Sequence, residues 1–123
     1  MGMHWGLRTA VGTAVALFVT HAAFTQLYET GYSRIVAPFA ALALAALFLA
    51  FLMVRKWSWR PVFLMAAIDI IINLAFLPEY QHFGDYLLYA QVLVAAEVAV
   101  CAVILGYMLH PATKERFLRL HAS

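Results

Sequence analysis

Charge is scarce in this chain. Asp, Glu, Lys and Arg make up 11% of its 123 residues and hydrophobic residues 66%, against about 45–50% apolar residues in a soluble domain. The mean hydropathy of +0.87 agrees that water is not the main solvent. Cysteine is nearly absent as well. The single Cys101 excludes an intrachain disulfide, says nothing of redox compartment, and sits in an apolar run as a small packed residue would. Also missing are a Gly-rich phosphate loop, a nucleophile elbow, a Cys-x-x-Cys pair and a zinc-protease motif, so the chain is expected not to be an enzyme. No Glu-x-x-His accompanies its intramembrane acids, which removes the carboxylate-bridged metal sites of helical bundles. His4, His82, His110 and His121 all fall outside the apolar runs, so no two imidazoles face each other across a haem. The sequence names no cofactor and no metal, and no motif carries a resemblance to a known family.

What is present is four apolar stretches, at about 9–28, 35–54, 61–77 and 86–109. Each approaches the roughly 20 residues that cross a bilayer as a helix. The expected fold is therefore all-α: a single domain, an integral membrane four-helix bundle with short loops and a basic tail over 111–123. Arg8 resembles the charged start of a secretory signal, and Ala22-Ala23 a cleavage point, but the first run is expected to remain as a span. Gly31 closes the first hairpin. Pro38 is expected in the first turn of the second span, where its missing N–H is harmless. Ala37, Ala41 and Ala45 form one strip of small residues on that span, and Ala46 and Ala50 another, most simply for packing inside the bundle.

Orientation follows from Lys and Arg. Seven of the eight fall on one side, in Arg8, the Arg55/Lys56/Arg60 turn and the Lys114/Arg116/Arg119 tail, whereas Arg34 falls on the other. The positive-inside rule then places both termini in the cytoplasm, in a bacterial-type inner membrane crossed several times. The net charge of +2 is a matter of topology, and no nucleic-acid partner is expected. Trp57 and Trp59, with Arg55, Lys56 and Arg60, are expected at the lipid headgroups. The tail places Phe117, Leu118 and Leu120 among basic residues, as in a short helix lying on anionic lipid.

Two acids interrupt the apolar runs. Asp69 and Glu97 fall near the bilayer midplane, where a charge costs about 2.5 to 3.5 kcal/mol on insertion scales. The ten Val, Leu, Ile and Phe residues of the third span offset Asp69 by about 3 to 6 kcal/mol, so the span inserts only with its acid turned inward. There an acid either holds a proton or is paired. The spans contain no Lys or Arg, and His21 is the imidazole available to share a proton. Asp69, Asn73, Phe76 and Tyr80 share one face of the third span, and Thr25 and Tyr28 the face of His21. Tyr86, Ala90, Val94, Glu97, Cys101 and Ile104 form a stripe on the fourth, with Gln91 about 120° away.

Two classes of function fit. In one, Asp69, Glu97, His21 and Asn73 form an outward-opening intramembrane pocket, the ion- or substrate-binding site of a proton- or cation-coupled transporter or channel, with His21 as relay and Asn73 as neutral ligand, working as a homo-oligomer. In the other, the chain is a non-catalytic accessory or assembly subunit whose acids pair with helices of partner membrane subunits.

Overall fold

The computed structural model describes residues 5–28, 31–53, 55–76 and 87–119. The chain forms α1 (Trp5–Tyr28), α2 (Ser33–Leu52), a 3-10 turn (Lys56–Ser58), α3 (Trp59–Phe76), α4 (Leu87–Leu109) and α5 (Pro111–Arg119). No strand occurs among the described residues. Four apolar stretches of 19 to 23 residues, the third running from the 3-10 turn into α3, are about 29 to 35 Å long at 1.5 Å per residue, which matches a hydrocarbon core of about 30 Å. The expected bundle is what the chain forms. The loop over 77–86 and the residues beyond 119, with Tyr80, Tyr86 and Leu120, lie outside the described residues.

Burial is inverted relative to a soluble bundle. Val19, Leu27, Phe39, Leu64, Ile71 and Val92 face outward, while Glu97, Asn73, Thr25 and Ser58 are buried. An outer surface of this kind suits lipid, and helices apolar all round are those of a membrane span. Thr13 and Thr20 return their exposed hydroxyls to the carbonyls of Thr9 and Ala16, at 2.8 Å each, so neither is left unpaired in hydrocarbon.

Each helix buries one stripe at three- and four-residue steps: Leu7, Val11, Ala14, Phe18, Ala22 and Thr25 on α1, and Ala90, Val94, Glu97, Cys101, Ile104 and Met108 on α4. The stripe read for α4 is therefore its buried face, and Gln91 is exposed as expected. Consecutive helices are neighbours, and α4 closes back on α1. Packing is most extensive between α1 and α2, where Ala41 and Ala45 are buried, and thinnest between α2 and α3. Ala46 of the second alanine strip faces outward.

Gly31 adopts φ +63°, a left-handed conformation that costs glycine little, and turns α1 into α2. Pro38 departs from expectation. Because α2 begins at Ser33, Pro38 lies in its second turn and deprives the Arg34 carbonyl of a helical partner. Gln26 supplies the missing donor: its Nε2 donates to Arg34 O at 2.7 Å and ties the end of α1 to the start of α2.

The end of the bundle that carries the termini is closed by aromatic rings. Phe51 stacks on Phe117 with centroids 4.7 Å apart, and Trp59 lies 5.0 Å from Phe117 and 5.8 Å from Phe51. This corrects two expectations. Trp59 is turned inward at 7% exposure, and only Trp57 of the pair presents its ring outward. Phe117 is buried in the bundle, so α5 docks on protein through the ring expected to enter lipid. Burying both rings together removes more apolar surface than either could cover alone. His110 ends α4 and starts α5, with Pro111 at the first helical position and the Ala112 N–H donating to His110 Nδ1 at 3.2 Å. The exposed Arg119–Glu115 pair adds little. Phe117→Ala, a truncation of the kind that costs about 3 to 5 kcal/mol, is expected to free α5 while leaving α1–α4 intact. Trypsin cleavage after Lys114 and Arg116 should accelerate more than about tenfold in detergent, since about 1.4 kcal/mol suffices for that.

Candidate functional site

Three helices bring polar groups to one depth. Measured from the bundle end opposite the termini, His21 lies seven residues from Tyr28, Asp69 seven from Phe76, and Glu97 ten from Leu87. At 1.5 Å per residue this is about 11 to 15 Å inside, close to the middle of a 30 Å core. His21 and Thr25 are one helical turn apart on α1, and Asp69 and Asn73 on α3, so the stripes that build the core also converge the polar residues.

The tightest contact joins α1 to α4. His21 Nδ1 lies 3.0 Å from Glu97 Oε1 and 3.1 Å from Oε2. Nδ1 is within hydrogen-bond distance of both oxygens, so one proton can be shared between the imidazole and the carboxyl group. Glu97 is 2% exposed. An imidazole is its counterpart in a span without Lys or Arg, at an ordinary N–H···O length.

Asp69 is held differently. It is half-buried, and Cys101, one turn below Glu97 on α4, donates its S–H to Asp69 Oδ2 at 3.6 Å. Asn73 Nδ2 donates to the Asp69 backbone carbonyl at 2.8 Å, and Thr25 Oγ1 to Ala22 O at 2.8 Å. No buried side-chain nitrogen or oxygen lacks a hydrogen bond among the described residues. The role of Cys101 was missed in sequence, where it read as a small packed residue. The signal was its position four residues after Glu97 on the stripe already drawn.

These groups line a cavity of about 520 Å³ at the thin α2/α3 seam. Asp69 and Asn73 stand on its α3 wall, His21 and Glu97 at its back. Ala37, Ala40, Ala41 and Ala43 form the α2 wall, so the first alanine strip opens space for the site as well as packing the bundle. Phe18 lies at its floor, edge-on to Phe48 with centroids 5.0 Å apart. Below these rings the core is apolar through Val11, Val62, Ala66 and Ile104 to the Phe51–Trp59–Phe117 cluster. The cavity is thus sealed toward the termini and open along the seam, where Ala40, Ala43 and Ile72 are exposed. Among the described residues no three His, Cys, Asp or Glu side chains are grouped as metal ligands.

The fold defines a multi-pass membrane protein. No protein-family model matches the chain, and neither curated proteins nor solved structures include one similar to it. The site's chemistry must therefore speak through its own residues. All four candidate residues, His21, Asp69, Asn73 and Glu97, line the one cavity. The Arg55/Lys56/Arg60 turn lies at the opposite, aromatic end of α3.

Proposed function

We propose that the protein is a proton- or cation-coupled transporter in which Asp69 and Glu97 are the protonatable groups, His21 the proton relay and Asn73 a neutral ligand. One observation carries the reading: the His21–Glu97 contact and Asp69 share the wall of a mid-depth cavity. His21 and Glu97 can pass a proton directly, Asp69 shares their cavity, and two carboxyl groups with one imidazole leave negative charge for a cation. The apolar plug beneath Phe18 supports gated movement over an open pore, since a continuous leak has no path toward the termini. With only four spans, the unit of transport is a homo-oligomer in the bilayer.

The accessory-subunit reading draws on a different observation. The seam is thinly packed and its exposed Ala40 and Ala43 would let a partner helix approach closely. Proteoliposomes separate the two. Imposing a pH gradient on vesicles holding purified protein should drive cation uptake above that of empty vesicles; uptake at the empty-vesicle level across a panel of cations favours the accessory role.

Orientation has its own test. Seven of eight Lys and Arg residues on one side support the reading that both termini are cytoplasmic, in a bacterial-type inner membrane. Reporter fusions at Ser123 and Gly84 are expected to read cytoplasmic and external respectively. An external Ser123 overturns the orientation and moves the sealed, aromatic end of the bundle to the outer side of the membrane.

A further inference from the structure

The cavity at the α2/α3 seam is much larger than any inorganic ion its acid could hold. At about 520 Å³ it falls in the roughly 300–1,000 Å³ range of sites that bury a drug-sized molecule. Its walls select the body of the guest. Ala40, Ala43, Leu47, Met65 and Ile68 carry no strong side-chain donor or acceptor, so a polar body would lose its water there without replacement.

The polar end selects the head. No Lys or Arg lies between Ile35 and Leu52 or between Val62 and Phe76, so an anionic head has no partner on either wall. Asp69 is faced by Glu97 and Cys101 from α4 and by His21 from α1; within those limits neither α2 nor α3 adds another titratable group, and Arg60 of α3 lies nine residues away at the aromatic end. When one proton is shared among Asp69, Glu97 and His21, the site keeps one negative charge in excess. One monovalent cation or one further proton neutralises it. The two acids divide the work. Glu97 is buried with both oxygens on His21, whereas Asp69 is partly exposed and held by two neutral groups, the weakly donating Cys101 thiol and the Asn73 side chain, that leave its charge to a cationic head. The exposed seam residues Ala40, Ala43 and Ile72 open this end to the acyl-chain region of the bilayer.

We infer that the cavity binds a lipophilic organic monocation, an ammonium or phosphonium centre on an apolar body, which enters from the bilayer between α2 and α3, docks its charge at Asp69 and displaces one proton. The inference rests on the transport-site reading in using the same acid, but it concerns binding, which is measurable without flux. The probe is radiolabelled tetraphenylphosphonium, equilibrated with the purified full-length protein in mild detergent. Saturable binding is expected, resistant to sodium, tetramethylammonium and neutral triphenylphosphine oxide, and weakening by up to about tenfold per pH unit as protons compete for the acid. Asp69→Asn should weaken binding at least about tenfold and flatten that pH dependence. Ala40→Phe, at an exposed position compatible with folding, should weaken it with the acid intact by narrowing the seam.

Binding that is unchanged in Asp69→Asn, or displaced equally by triphenylphosphine oxide, overturns the inference. So does proton-driven uptake of a small inorganic cation by a protein with no saturable tetraphenylphosphonium binding, a result that leaves the transport reading standing. Saturable, Asp69-dependent binding without uptake of any cation upholds the inference and overturns the transport reading.

Discussion

His21→Leu is expected to lower the denaturation midpoint in mild detergent more than any other single substitution at the site. The variant leaves the Glu97 carboxylate, 2% exposed, without the imidazole 3.0 Å away. Removing one partner of a buried pair costs about 3 to 5 kcal/mol, because the remaining charge is left uncompensated. The double variant His21→Leu/Glu97→Leu is expected to recover most of the loss, since replacing both partners with apolar groups is often neutral or stabilising. A double variant no more stable than His21→Leu alone would mean that the two residues do not depend on each other.

Asp69 should show the reverse: small effects on stability and large effects on uptake. Asp69→Asn keeps the shape and a hydrogen-bonding group but cannot ionise. Asp69→Leu removes the polar group and favours insertion of α3. If Asp69 only joins helices, Asp69→Asn should match the parent in uptake, and Asp69→Leu should lose the roughly 0.6 to 2 kcal/mol of an interhelical hydrogen bond. As a transport site, both variants accumulate and fold while pH-driven uptake falls to that of empty vesicles. Glu97→Gln gives the same loss, because coupled acids titrate as a unit.

The residues that define this site were legible in the sequence for one reason: a carboxylate in an apolar run is costly enough to demand an explanation. That cost pointed to Asp69 and Glu97, and helical spacing then drew Asn73, Thr25 and the Ala90–Ile104 stripe onto inward faces while leaving Gln91 outside. The same reasoning failed where cost gives no direction. Trp59 and Phe117 are as compatible with headgroups as with a protein core, and nothing local distinguishes them from Trp57, which does face outward. Their inward packing depends on Phe51, an apolar residue in a helix apolar on every side, and periodicity cannot choose a face there. Pro38 falls a turn deeper than the apolar run suggests because α2 begins two residues before that run, at Ser33, and the donor that compensates it, Gln26, belongs to another helix. A polar pocket at Asp69 and Glu97 is expected from their depth and faces, but its volume and its alanine wall on α2 are not. Both arise from the thin α2/α3 seam, a property of how the helices are spaced and not of any one stripe.

The claim that everything else depends on is that His21 and Glu97 meet inside the bilayer. Solid-state NMR on protein in lipid, with ¹⁵N in the histidines and ¹³C in the glutamate side chains, measures the distance from His21 Nδ1 to the Glu97 carboxyl carbon directly. With both oxygens 3.0 and 3.1 Å from Nδ1, strong dipolar dephasing is predicted at His21, as expected for a carboxylate accepting a hydrogen bond. It should vanish in Glu97→Leu. A His21 signal with no such coupling in the wild-type protein would contradict the site, and with it the reading of the cavity as a place where protons and cations exchange.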